Sequence, residues 1–236
     1  MAHERISIII PVLNEEENIK QTLASSIPNT NVEVIVVDGG STDTTVSIVQ
    51  SLGVKVLSAP PGRACQMNVG ALVATGEILL FLHSDTWLPP GFDEMVRTAL
   101  KPLKQKCESA PVGGAFALRI NSPLASLRLV EWGVNLRSRF LQMPYGDQAI
   151  FLKAETFHKM GGFPDLPIME DFELMRRLRG TGTIAIVQTP VVTSARKWLK
   201  RGVLQTTLIN QIIIFAYLLG VSPLRLVNWY RRQYSR

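Results

Sequence analysis

Three polar clusters in this chain have the residue types and spacing for chemistry on a phosphorylated ligand. The first is His83-Ser-Asp85. A carboxylate beside an imidazole suits a divalent cation carrying a diphosphate. The cluster closes a continuous apolar run, Ile78 to Leu82, bounded upstream by Gly76 and followed by Trp87-Leu-Pro-Pro-Gly91. Such a run reads as a strand buried on both faces, in the middle of a parallel sheet. Ligands of open α/β sheets bind outside the carboxyl ends of the strands, where this cluster falls. The second cluster, Asn14 and Glu15, follows the β-branched stretch Ile6 to Leu13, and the third, Asp38 and Ser41, follows Val32 to Val37. Glu15 can accept from a ribose or a base, and Asp38 from a base N–H. Each alone is equally explained as a helix cap. Three converging where strand order reverses make a nucleotide cleft. Arg63, after the Pro60-Pro-Gly62 turn, can reach that cleft and offset diphosphate charge, although a solvated loop arginine would look the same in sequence.

The elements that must position these groups alternate. Strands are expected at 6–13, 32–38, 54–58 and 78–82. Helices are expected after the cap Asn14, from Ser41 to about Leu52, from Arg63 to Ala71 and from Phe92 to about Leu103. This alternation predicts a mostly parallel central sheet with right-handed crossovers, flanked by helices. The second half changes character. A strand is expected at 112–120, an amphipathic helix from Pro123 to Phe140, a strand at 148–152, and helices at 154–160 and 169–178. Leu204 to Leu219 reads as one long helix, apolar all round in its second half. It is too short and too interrupted for the roughly 20 apolar residues of a membrane span.

The chain has 236 residues, 46% of them apolar and 19% charged, enough to bury a sizeable core. Cys65 and Cys107 show neither metal-ligand spacing nor a disulfide framework, which fits a reducing, cytoplasmic setting. The segment before Ile6 has no signal-peptide pattern. The net charge of +6 is unevenly spread. Up to Glu173 there are 19 carboxylates and 14 Lys and Arg; beyond it there are eleven Lys and Arg and no acid. The tail is therefore expected to meet something anionic, a lipid headgroup or a phosphorylated acceptor. It has no recognisable nucleic-acid motif, and no nucleic-acid partner is expected.

Pro11-Val-Leu-Asn-Glu15, Val37-Asp-Gly-Gly-Ser-Thr-Asp43, Gly62-Arg-Ala, the Asp85 cluster, Gly146-Asp-Gln148 and Glu170-Asp171 occur in this order. Together they resemble the family-two glycosyltransferases of the A-type fold. The resemblance implies a nucleotide-sugar donor, UDP- or GDP-linked, and usually inversion at the anomeric centre. It places Pro11, Leu13, Glu15, Asp38, Gly40 and Ser41 with Arg63, Asn68, Ser84 and Asp85 around the donor. Asp147, Gln148 and Glu170 are expected on the acceptor side, and Asp171 is expected to be the general base. The sequence agrees with that last role, since Asp171 opens a helix after a Pro-rich loop and has an acidic neighbour that would raise its pKa. Asp147 is the rival base, and both acids of the pair also complement a helix dipole. The family usually writes Asp-x-Asp where this chain has His83-Ser-Asp85, a variant that resembles a subgroup of the family. One carboxylate plus an imidazole shifts preference toward Mn²⁺ over Mg²⁺, with His83 either a ligand or a supporting group.

The expected organisation is a catalytic domain at 1–195, with a nucleotide half at 1–110 and an acceptor half at 111–195, then a basic helical appendage at 196–236. The acceptor is expected to be a lipid phosphate or a small metabolite. The appendage would touch the inner face of a membrane, pack on the domain or form a homodimer. Arg176 and Arg177 are further diphosphate candidates. Ser194 to Trp198 either closes over the donor or packs Trp198 beneath the last helices. Two other functions compete. A sugar nucleotidyltransferase would open with a Gly-rich basic loop, where this chain has the acidic Pro11-Val-Leu-Asn-Glu15. A degenerate nucleotide-sugar-binding or scaffold protein would not need Asp38, Asp85 and Asp171 together.

Overall fold

The computed structural model describes residues 4–26, 31–102 and 110–234. Its eight strands are β1 (Ile6–Val12), β2 (Val32–Asp38), β3 (Lys55–Ser58), β4 (Ile78–Phe81), β5 (Thr86–Trp87), β6 (Gly113–Asn121), β7 (Ile150–Lys153) and β8 (Ile184–Ser194). Its helices are α1 (Ile19–Ser26), α2 (Thr45–Ser51), α3 (Arg63–Val73), α4 (Phe92–Ala99), α5 (Ala125–Leu141), α6 (Ala154–Lys159), α7 (Glu170–Arg179), α8 (Arg196–Arg201), α9 (Val203–Leu218) and α10 (Pro223–Tyr234). The strands form one mixed sheet in the order β3-β2-β1-β4-β7-β6-β8-β5. β3, β2, β1 and β4 are parallel; β7 is antiparallel to both β4 and β6; β8 is parallel to β6; and β5 pairs antiparallel to β8.

Burial explains why the middle strands read so clearly in sequence. All seven residues of β1 and all four of β4 are buried, as expected of parallel strands covered on both faces. One core cluster joins Ile8, Ile10 and Leu80 to α1, α2, α4 and α5. The other joins Ile9, Val37 and Phe81 to α3, α6 and α7. The C-terminal helices close over this frame. Trp198 of α8 belongs to the first cluster, whereas Ile213 of α9 and Leu226 and Val227 of α10 belong to the second. α9 therefore passes from one face of the sheet to the other.

Three points differ from expectation. Asn14 does not cap a helix: it stands at φ 54° and α1 begins only at Ile19, with no acid in its first turn. The intervening residues are recruited by the loop after β2. Asn14 N–H donates to Ser41 Oγ, Thr42 N–H donates to Asn14 Oδ1, and Glu15 N–H donates to Thr45 Oγ1. The first helix starts late because these cross-loop bonds satisfy the backbone in its place. The strand β8 was not anticipated. The helix expected to reach Leu103 ends at Ala99, and Leu103 and Cys107 lie outside the described residues.

Close approach of β6 to its neighbours requires glycine at 114. A Cβ there would stand 2.5 Å from Phe151 Cζ and 2.8 Å from the Ala185 carbonyl oxygen. Gly114→Ala is expected to destabilise the protein by about 1–3 kcal/mol, the cost of an overpacked core, read as a lowered melting temperature.

Candidate active site

The parallel run of β3, β2, β1 and β4 delivers polar groups to a single edge. The chain moves outward from β1 to β3 and returns to β4 on the other flank of β1, so strand order reverses between β1 and β4. Phe81 at the end of β4 faces Ile150 at the start of antiparallel β7. The single 3-10 turn Gly146–Gln148 ahead of β7 therefore reaches the same edge as His83 and Asp85. Ser194 N–H donates to the Asp85 carbonyl at 2.9 Å, which brings the end of β8 there too.

Gly146 is the contact point of the cluster. Its N–H donates to Asp171 Oδ2 at 2.8 Å. A Cβ at this position would lie 2.7 Å from His83 Nε2 and 3.1 Å from Asp171 Oδ2. The absence of a side chain lets imidazole and carboxylate approach the same backbone. Next to it, Asp147 Oδ1 is buried without a hydrogen-bond partner. Burial, and then the Arg63 charge, hold the His83 pKa below its ordinary 6.5 against the opposing pull of Asp85, Asp147 and Asp171. His83 is thus neutral at neutral pH, the form that can ligate a cation. The unfolded chain takes a proton that the folded site refuses, so this residue makes stability fall as pH drops through about 6.5.

Arg63 opens α3 and pairs with Glu170 Oε1 at 2.9 Å. Glu170 raises the Arg63 pKa further, with smaller contributions from Asp171, Tyr230 and Asp85. The Glu170 side chain is only 3% exposed. Burial pushes its carboxyl pKa up, Arg63 opposes that shift and Asp171 reinforces it. Arg63→Ala is expected to cost about 1–3 kcal/mol at neutral pH, because a buried carboxylate loses its partner. A carboxyl whose folded pKa is raised contributes stability below its unfolded pKa and loses it as pH rises. The penalty should therefore shrink in urea melts near pH 5 and be full near pH 8.

At the end of β2, the buried Asp38 carboxylate accepts from Gly40 N–H at 3.0 Å and Ser41 N–H at 3.1 Å. Glu15 is held by Arg196, whose Nη2 lies 2.9 Å from both carboxylate oxygens. Pro11 is buried within β1 and Leu13 is exposed just beyond it. Ser84 is buried, and its carbonyl accepts from Thr22 Oγ1.

Several expected site residues are engaged in building the scaffold. Asn68 exchanges two hydrogen bonds with the backbone of Phe163, steadying the loop ahead of α7. Gln148 is fully buried, donating to the Phe116 carbonyl and accepting from Ser138. Arg176 pairs with Glu173, and Arg177 donates to the carbonyls of Met160 and Gly162. Trp198 is buried in the core, so packing is what the structure shows for it. Gln66 went unread in sequence, although its Nε2 donates to the carbonyls of Val12 and Val37 and joins the ends of β1 and β2. The Glu15–Arg196 pair spans 181 positions and leaves no local sequence signal.

Among the described residues, no group of three or more His, Cys, Asp and Glu forms a ready metal cage. His83 and Asp85, with the unpartnered oxygen of Asp147 nearby, are donors of a type that suits a divalent ion, which would need its remaining ligands from a diphosphate and water.

A model of glycosyl transferase family 2 matches residues 7–143, more than half of the chain. The chain belongs to glycosyl transferase family 2. Among its relatives, glycosyltransferase AglE of Haloferax volcanii is 32% identical over 177 residues, covering 68% of this chain and 56% of AglE. This chain thus spans about half the length of that relative. Two solved structures share the A-type fold. TarS of S. aureus, in complex with UDP, has a TM-score of 0.61 and 20% identity, covering 80% of this chain and 60% of the TarS chain. The mannosyltransferase PcManGT of Pyrobaculum calidifontis, in complex with GDP-Man and Mn²⁺, has a TM-score of 0.59 and 23% identity, covering 82% of this chain and 57% of that one.

Proposed function

We propose that this chain is an inverting glycosyltransferase that moves a sugar from a UDP- or GDP-linked donor to a hydroxyl or phosphate acceptor. The observation that carries the reading is the meeting of Asp171, His83 and Asp147 around Gly146, at the edge where strand order reverses. Nucleotide and Mn²⁺ in the related structures support it.

In this reading residues 1–110 hold the nucleotide and residues 111–195 hold the acceptor. Pro11, Leu13, Glu15, Asp38, Gly40, Ser41 and Ser84 shape the nucleoside side. Arg63 sits beside the diphosphate, and Asp85 with His83 would hold a divalent ion. When bound, such an ion supplies charge neutralisation at the diphosphate leaving group. Mn²⁺ suits the imidazole better than Mg²⁺ does.

Asp171 takes the proton of the acceptor O–H. The acceptor oxygen bonds to the anomeric carbon from the face opposite the diphosphate as the carbon–oxygen bond to the diphosphate breaks, and the pair of that bond leaves with the nucleotide. The Gly146 N–H bond fixes Asp171 Oδ2, leaving lone pairs on the carboxylate for the incoming hydroxyl. Asp147 and Gln148 belong to the acceptor side, Gln148 through its buried support of the turn. The acceptor is a lipid phosphate or a small metabolite, met on the side of the basic segment 196–236.

Calorimetric titration with UDP and GDP, each with Mn²⁺, Mg²⁺ or chelator, tests the donor assignment. Metal-dependent binding of one nucleotide is expected. Binding of neither under any condition would overturn the reading in favour of a degenerate protein. Because His83 is already neutral, the metal-dependent affinity should stay flat above about pH 7 and weaken only on acidification.

A further inference from the structure

α9 has two apolar faces but only one is used inside the protein. Thr206, Ile209 and Ile213 are buried, whereas Leu204, Leu208, Ile212 and Phe215 form an outward stripe, with Leu204 75% and Phe215 69% exposed. α5 packs beside α9 and repeats the pattern. Its Leu129, Trp132, Leu136 and Phe140 recur at helical spacing, with Trp132 63% and Phe140 71% exposed. Two neighbouring helices thus each present an exposed apolar stripe, unlike the singly scattered apolar residues of an ordinary surface.

The charged side chains carried by the C-terminal helices have one sign. Every charged side chain of α8, α9 and α10 is Lys or Arg. The one acid of α5, Glu131, is buried, accepting from Ile120 N–H and pairing with Arg128. Lys197 and Lys200 are exposed on α8, immediately before the α9 stripe. A second copy of the chain docking through the same patch would set bases against bases. An anionic lipid surface complements both the charge and the apolar stripes. No described helix is long and apolar enough to cross a membrane. A helix of this kind lies along the interface, with its apolar residues below the headgroups and its bases at their level.

We infer that the exposed apolar faces of the neighbouring helices α5 and α9, with the lysines of α8 beside them, dock this protein onto an anionic membrane surface. The docked orientation serves the transfer reading through Tyr217 of α9, whose hydroxyl donates to Glu173 two residues beyond Asp171, and through Tyr230 of α10 near Arg63. α9, one of the helices that would rest on lipid, thereby touches the helix that carries Asp171. On the transfer reading, the acceptor is then lipid-borne.

Co-sedimentation with vesicles of phosphatidylcholine, and of phosphatidylcholine mixed with phosphatidylglycerol, tests the docking face. The full chain is expected to bind the mixed vesicles and not the neutral ones. The pair Trp132→Ser and Phe215→Ser, both at exposed positions, should lower partitioning about tenfold or more. The pair Lys197→Glu and Lys200→Glu should lower it by a similar factor, and salt should weaken what remains. Absence of wild-type binding to mixed vesicles would overturn the proposal, as would unchanged binding by the apolar pair. A vesicle-free dimer by light scattering, made monomeric by the apolar pair, would assign the face to a second copy instead. UDP and GDP titrations of the same samples separate the two readings. Nucleotide binding with no vesicle binding removes the docking face alone. Vesicle binding with no nucleotide binding removes the lipid-borne acceptor and leaves docking.

Discussion

Asp171→Asn should lower the transfer rate by about 10²–10⁴-fold, the range expected for loss of a positioned general base. Donor affinity, measured by calorimetry on the same sample, should stay within a few-fold. The separation follows from geometry. Asp171 enters the site on α7 and is fixed by the Gly146 N–H, an interaction that the asparagine carbonyl oxygen can still accept. The variant thus keeps the shape of the turn and loses the proton acceptor. A wild-type rate in Asp171→Asn would move the role to Asp147, whose buried Oδ1 has no protein partner. Equal losses in rate and donor affinity would instead make Asp171 a binding group.

Asp85→Ala should act on the donor side. Removing the carboxylate of the proposed ion site should weaken Mn²⁺-supported nucleotide binding by more than the roughly 10–100-fold typical for loss of an outer-shell metal partner. Residual binding in chelator should be nearly unchanged, because all but one of the proposed nucleoside contacts lie in or just beyond β1 and β2, away from Asp85. Folding should also be unaffected. The Asp85 contact to β8 is made by its main-chain carbonyl, which alanine retains. If Asp85→Ala binds nucleotide with undiminished metal dependence, the ion is held elsewhere and the His83-Ser-Asp85 assignment fails.

The sheet edge was legible because β1, β2 and β4 are short, mostly apolar runs, each followed abruptly by polar residues, the pattern of parallel strands covered on both faces. Asp85, Asp147 and Asp171 were singled out through the family resemblance, and all three lie within the electrostatic field of His83. What escaped were long-range bonds and irregular strands. β8 carries Gln188-Thr-Pro190 in its middle and joins β6 through a register shift at Phe116 and Ala117, so its alternation is broken where a sequence pattern would need it. Asn14 reads as a cap because its type is right. Its partner is Thr42, in another loop, and propensity has no access to that choice. Asn68 and Gln148 show the reverse case: polar residues inside matching motifs whose hydrogen bonds are spent on the scaffold.

The bond between Arg196 and Glu15 also bears on how the protein is made. The β1–β4 half of the sheet can assemble from contacts local to the first hundred residues, but its Glu15 carboxylate receives this partner only after β8 has joined β6 and α8 has turned the corner. Closure across 181 positions is entropically late. During refolding, nucleotide binding should consequently appear after the circular-dichroism signal of the sheet, and a growing chain on the ribosome completes the proposed donor edge only once α8 has emerged.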